Sequence, residues 1–190
     1  MKRISFNLRI GVIGAFKGEK EEFLSYIKKD SVQTETLDED GLDGQLQQFL
    51  ILYKSIPIKL RIYFFKNYSE IIENTNISKP FDVIIQFAHI SEDLVLNNQN
   101  PLEELDRYTS GDISYILVGR ELNNLDKAII NRTSLVHYAK KLGFLYCFLI
   151  QNRESDYQEI FNKFLDDLIF KFQYSSPEIF ERAKKYGESL

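Results

Sequence analysis

The sequence predicts an α/β protein: a six-stranded, mostly parallel sheet with one antiparallel edge hairpin and helices on both faces. Three observations carry this. An apolar run (Ile10, Val12, Ile13) ends at Gly14 and gives way to a helix-forming stretch from Glu19 to Lys29, a direct passage from buried strand to helix. Two β-rich runs, Gln47 to Ser55 and Ile58 to Phe65, flank Ile56-Pro57, a gap too short for a crossover, so they must pair antiparallel. From Phe81 onward, short apolar runs alternate with helical periodicity, the pattern of strands buried in a parallel sheet.

The elements follow in order. Phe6 to Ile13 is the first strand. Glu19 to Lys29 is the first helix, with Phe23, Leu24 and Ile27 on one face. Ser31 to Gly44 reads as a polar, acidic loop. The hairpin follows, and Asn67 to Lys79 is irregular or weakly helical. Phe81 to Ala88 is a buried strand. Glu92 to Tyr108 is partly helical; Pro101 can open its second half, which gives Leu102 and Leu105 an inner face. Ile113 to Val118 is a strand, Ser134 to Leu142 a helix ended by Gly143, and Phe144 to Ile150 the last strand. Tyr157 to Phe172 spaces Ile160, Phe161, Phe164, Leu165, Leu168, Ile169 and Phe172 by three and four, the signature of an amphipathic helix. Ser176-Pro177 then reads as the cap and first residue of a short extra helix containing Ile179, Phe180 and Ala183.

Composition bounds the class. A chain of 190 residues, 44% hydrophobic and 14% aromatic, can bury a core and is not disordered. A net charge of −4 argues against a general nucleic-acid binder. No apolar run approaches a membrane span, the N-terminal residues do not read as a signal peptide, and neither a C-terminal prenyl nor an N-terminal myristoyl motif is present. A single cysteine, Cys147, within an apolar run fits a small core residue in a reducing, cytoplasmic setting.

Three local patterns, in order, resemble the Ras-like small GTPases, members of the P-loop NTPase fold. Leu8-Arg9-Ile10-Gly11-Val12-Ile13-Gly14 resembles the first strand and the entry to the phosphate loop. Tyr115-Ile116-Leu117-Val118-Gly119 is similar to the strand that leads to the guanine-reading motif. Ala139-Lys140-Lys141-Leu142-Gly143-Phe144 and then Glu159-Ile160-Phe161 resemble the last helix–strand–helix unit. The resemblance implies a degenerate G domain over residues 1–174 and a C-terminal helical extension over 175–190.

The family's functional positions fall on altered residues. A phosphate loop needs G-x-x-x-x-G-K-[ST], so that backbone N–H groups close on phosphate, a lysine reaches the outer phosphates and a hydroxyl holds Mg²⁺. Gly14 and Lys20 keep the spacing, but Glu19 replaces the second glycine and Glu21 the hydroxyl. The D-x-x-G segment falls on Phe64-Phe65-Lys66-Asn67, N-K-x-D on Arg120-Glu121-Leu122-Asn123, and S-A-K on Ile150-Gln151-Asn152. Aspartate reads guanine through two acceptor oxygens; Asn123 has one. A carboxylate about 4 Å from a phosphate charge costs roughly 1 kcal/mol in water and about 4 at an effective dielectric near 20. Phe16, Phe64, Phe65 and Ile150 stand where polar site residues would be, and each could contribute about 1.5–3 kcal/mol by filling or covering the pocket.

The resemblance therefore implies a pseudo-GTPase that acts through protein contacts, with no cofactor, no catalytic residue and no metal. Its partner surfaces would be the switch equivalents, Ser31 to Phe49 and Phe64 to Lys79, and its partner another small GTPase or a roadblock or longin-type scaffold. The alternative is a divergent GTPase that still binds GTP or GDP with Mg²⁺, Gly14, Lys17, Gly18 and Lys20 cradling phosphate in a shifted loop and Asn123 facing the base. A third reading, a receiver or flavodoxin-like module, requires an all-parallel five-stranded sheet. Asp38-Glu39-Asp40 reads as a solvated acidic loop, and His89 and His137 lack neighbours at metal-ligand spacing.

Overall fold

A computed structural model describes residues 4–15, 17–35, 46–73, 81–88, 102–103, 105, 113–120, 132–151 and 153–190. Its elements are β1 (Phe6–Ile13), α1 (Lys17–Asp30), β2 (Ser31–Glu35), β3 (Leu46–Tyr53), β4 (Ile56–Phe65), α2 (Tyr68–Glu73), β5 (Val83–Ala88), β6 (Ser114–Arg120), α3 (Arg132–Leu142), β7 (Tyr146–Ile150), α4 (Glu154–Ser175) and α5 (Pro177–Gly187). The strands form one mixed sheet in the order β2-β3-β4-β1-β5-β6-β7.

The sheet has seven strands, not six. The extra one is β2, which the sequence reading placed in an acidic loop. Ser31 to Glu35 carries the β-branched Val32 and Thr34 and pairs antiparallel with β3, Thr34 opposite Phe49 and Glu35 opposite Gln48. The hairpin turn also moves. It is Lys54-Ser55, at φ of 49° and 64°, the two positive angles of a tight turn that matches strand twist. Ile56 and Pro57, expected at the turn, are buried in β4. With Tyr53 and Ile56 flanking a two-residue loop, Gln48 stands opposite Arg61, and Arg61 Nε donates to Gln48 Oε1 at 3.2 Å. This hairpin excludes the all-parallel receiver or flavodoxin-like arrangement.

The chain divides into two compact units, the first containing residues 1–8, 20–62 and 153–190, the second residues 9–19 and 63–152. In the first unit, α1 and α4 meet through rings spaced along each helix. Phe23 lies 5.1 Å from Phe161 and 6.1 Å from Tyr157, and Tyr26 lies 5.4 Å from Phe161. Burying such rings contributes about 1.5–3 kcal/mol each. At the start of β1, Phe6 stacks on Phe172 of α4 at 4.0 Å. The Asp156 carboxylate accepts the Arg153 N–H at 3.0 Å, capping α4. Pro177 opens α5, which buries Phe180, Ala183 and Gly187 and leaves Ile179 48% exposed.

In the second unit, β1, β5, β6 and β7 pair in parallel, Ile13 opposite Gln86, Gln86 opposite Leu117 and Leu117 opposite Cys147. The Arg9 guanidinium lies over the rings of Tyr63 (5.2 Å) and Phe81 (5.5 Å). Gly143, at φ 87°, ends α3: its N–H donates to the Lys140 carbonyl and that of Phe144 to the Ala139 carbonyl, a Schellman closure. Leu102 and Leu105 are buried, as the inner face expected of that segment requires.

Candidate functional site

Parallel strands bring their carboxyl ends to one edge of a sheet, where open α/β folds bind ligands. In the second unit that edge holds Ile13, Ala88 and Arg120, the last residues of β1, β5 and β6. The chain leaves β1 through Gly14 at φ 74°. A Cβ there would stand 2.9 Å from the Phe87 carbonyl oxygen, so both conformation and space demand glycine. The Gly14 N–H donates to the Phe65 carbonyl at 3.1 Å. It thus serves the end of β4.

Helix α1 then begins at Lys17, and Lys17, Gly18 and Glu19 form its first turn. The N–H groups of a first turn lack intrahelical acceptors and carry the positive end of the helix dipole, which favours an anion. The third residue of this turn is itself a glutamate. Glu19 is 1% exposed, and its Oε1 lies 3.8 Å from Nη1 of Arg120, which is 41% exposed. Two positions thus converge: a carboxylate on the third residue of α1 and a guanidinium at the end of β6.

The other anticipated site residues sit as follows. Lys17, Gly18 and Glu21 are exposed, and Lys20 is half-buried. Asn123 and Phe16 lie outside the described residues. Phe64, Phe65 and Ile150 are core: Phe65 meets Phe81 edge-on at 5.8 Å, and Ile150 is 1% exposed. Lys66 and Asn67 frame the start of α2. The Asn67 Oδ1 accepts the Glu70 N–H at 3.1 Å, and the Glu70 carboxylate accepts the Lys66 N–H at 2.7 Å.

Sequence reasoning missed the pairing of Arg120 with Glu19. The signal that could have found it is the rule that a buried charge needs a partner, together with the basic residue that ends an otherwise apolar strand. It also missed a tyrosine environment in the same unit. Tyr68 Oη donates to Gln86 Oε1 at 2.6 Å. Burial first, then the neighbouring Tyr138 and Tyr115, push the Tyr68 phenol well above its usual range, so it stays a neutral donor.

Among the described residues, no group of three or more His, Cys, Asp or Glu side chains comes together, and no helix is long and apolar enough to cross a membrane. His137 is exposed on α3 and Cys147 is half-buried in β7; His89 and the Asp38-Glu39-Asp40 run lie outside the described residues. No protein-family model matches the chain, and no curated protein is significantly similar to it.

Proposed function

We propose that this chain is a non-catalytic Ras-like domain, a pseudo-GTPase, that works in the cytoplasm as a protein-interaction module and has lost or greatly weakened guanine-nucleotide binding. One observation carries the reading: the buried Glu19 carboxylate, within 3.8 Å of Arg120, lies in the helix turn that a phosphate would need. A triphosphate entering there meets a fixed carboxylate already set against a guanidinium, and would have to take over or share that partner. Gly14 supports the same reading, since its N–H already donates to Phe65. So does Glu21, an exposed carboxylate where the metal-binding hydroxyl would be. These residues do not fit GTP with Mg²⁺ in the family's usual geometry.

The partner surfaces follow the switch equivalents. In the first, β2 is an edge strand and Val32 is 56% exposed on it, a template for an added strand or a docked side chain. In the second, Phe64 and Phe65 are withdrawn into the core, so contact falls to Lys66, Asn67 and Ser69, which are exposed.

The divergent-GTPase reading keeps one observation in its favour: Lys17 and Gly18 are exposed in the first turn of α1, and among the described residues none crowds a Cβ placed at Gly18. One experiment separates the two. Freshly purified protein is denatured and the supernatant chromatographed for guanine nucleotides. The proposed function expects far less than one nucleotide per chain and no change in Tm on adding GTP with Mg²⁺. A bound ligand at a hundredfold its Kd would stabilise by about 2.7 kcal/mol, so a stoichiometric nucleotide or a clear upward shift overturns the proposal.

A further inference from the structure

The first unit holds a cavity of about 320 Å³ between α1, β3, β4 and α4. It shares no residue with the β1–α1 junction. Its inner wall is apolar: Ile27, Ile51, Leu60, Phe161 and Leu165 line it and all are buried. Its accessible side is mostly polar, with Leu52 as its exposed apolar member. Tyr26, Tyr53 and Asn162 are half-buried, and Asp30 and Gln158 are exposed.

Charge decides what such a cavity can hold. Among its lining residues Asp30 alone carries a formal charge. Burial first and then the nearby Asp30 carboxylate push the Tyr26 phenol up to about 12, and a carboxylate offers about four acceptor sites. Two nearby lysines have carboxylate partners: Lys29 Nζ lies 2.7 Å from Glu154, and Lys54 Nζ lies 2.6 Å from Asp166 and 5.5 Å from the centre of the Tyr53 ring. Tyr53 Oη donates to the same Asp166 at 2.8 Å. The cavity therefore combines an apolar interior, three aromatic rings and one carboxylate.

We propose that this cavity binds a small organic cation: a protonated amine on a short apolar stem. The stem lies against Leu60, Phe161 and Leu165, where removing apolar surface from water drives binding. The ammonium meets the Asp30 carboxylate in a charge-assisted hydrogen bond. At about 30 Å³ per water-sized group, the space takes about ten non-hydrogen atoms, the lower end of ligand cavities. A free amine is the assignment, rather than a lysine side chain of a protein.

The probe is 2-phenylethylamine, titrated into the full chain and followed by amide chemical shifts. Its neutral analogue 2-phenylethanol, its anionic analogue 3-phenylpropanoate and N-acetyl-lysine amide are titrated in parallel. The expected result is saturable binding of the amine at millimolar or lower concentration, with shifts at the end of α1, in β3 and along α4, and little binding of the anion. Asp30 is exposed, so Asp30→Asn keeps the fold; it should weaken the amine about tenfold and leave the alcohol unchanged. Gln158→Trp, at another exposed position, should block both probes without lowering Tm. Shifts that do not saturate or that map elsewhere overturn the site. Equal affinity for amine and alcohol, or an Asp30→Asn variant that binds the amine normally, overturns the cation assignment. Tighter binding of N-acetyl-lysine amide than of the free amine overturns the choice of ligand.

Discussion

The backbone of Gly187, in the last turn of α5, lies so close to the Ser55 carbonyl oxygen that a Cβ at position 187 would overlap it. The same Cβ would stand 2.9 Å from Leu52 Cδ1. The terminal helix thus seats its end on the β3–β4 turn, at a point where only a bare backbone fits. In an unconstrained helix, alanine is better than glycine by about 0.5–1 kcal/mol. Here Gly187→Ala is expected to reverse that sign and destabilise by about 1–3 kcal/mol. Gly18→Ala, where no described residue beyond its own chain neighbours and helix backbone comes within 4 Å of the added Cβ, should be neutral or stabilising by up to about 1 kcal/mol. Urea midpoints of the two variants check both signs, and a stabilised Gly187→Ala would mean that α5 does not rest on this turn in solution.

A second pair of glycines separates conformation from space. Gly14 and Gly143 both have positive φ, 74° and 87°. Only Gly14 is also crowded, by the Phe87 carbonyl. Alanine at either position pays about 1–2 kcal/mol for the left-handed backbone, and at 14 the collision is added. Gly14→Ala should therefore lose clearly more stability than Gly143→Ala by thermal or urea unfolding. Equal losses would show that the β1–α1 junction can relax away from β5.

Glu19 and Arg120 are unequally buried, 1% against 41%. Truncating the arginine leaves a buried anion with one charge partner fewer. Neutralising the glutamate leaves a cation that water can solvate. Arg120→Ala is expected to cost about 1–3 kcal/mol and Glu19→Gln less than about 1. The double variant should lose less than the sum of the two. Strict additivity in the urea cycle would mean that the side chains do not interact.

The tyrosines set the alkaline limit. Burial, then the Asp30 carboxylate, push the Tyr26 phenol from 10.0 up to about 12; Tyr53, Tyr68 and Tyr138 move in the same direction, each chiefly through burial. A folded value above the unfolded one means stability is full below pH 10 and is lost as pH rises from about 10 to about 12, because only the unfolded chain gives up its protons there. Unfolding followed by circular dichroism should show this loss, and Tyr26→Phe should shift its midpoint upward. On the acid side, the Lys54 hydrogen bond first, helped by Tyr53, holds Asp166 below the usual carboxylate range. That contribution is present above about pH 4 and fades as pH falls through the folded value; solvent keeps it small. Lys54→Ala should flatten the acid limb. An unchanged limb would show that this ion pair does not form in solution.

Much of the fold was legible because its signals are periodic. The run Ile160, Phe161, Phe164, Leu165 has one helical face and buries it, and Gly143 ended a helix as its αL position requires. What escaped was local. Ser31 to Glu35 is polar enough to read as loop, and its strand character comes from pairing with β3, a long-range fact. Lys54 and Ser55 take positive φ without glycine or asparagine to announce it. At the candidate site, sequence spacing located Glu19 as a carboxylate in place of the phosphate-loop glycine. Its burial against Arg120, a hundred residues on, depends on where β6 ends.

On the reading proposed above, Glu19 is an anion delivered with the polypeptide itself. A nucleotide comes and goes with its concentration; a side chain fixed to its own helix is present at a constant, very high effective molarity. No exchange step could empty that position and no hydrolysis could time it. Control over such a protein would rest on how much of it is synthesised, where it is held, and which partner it meets there.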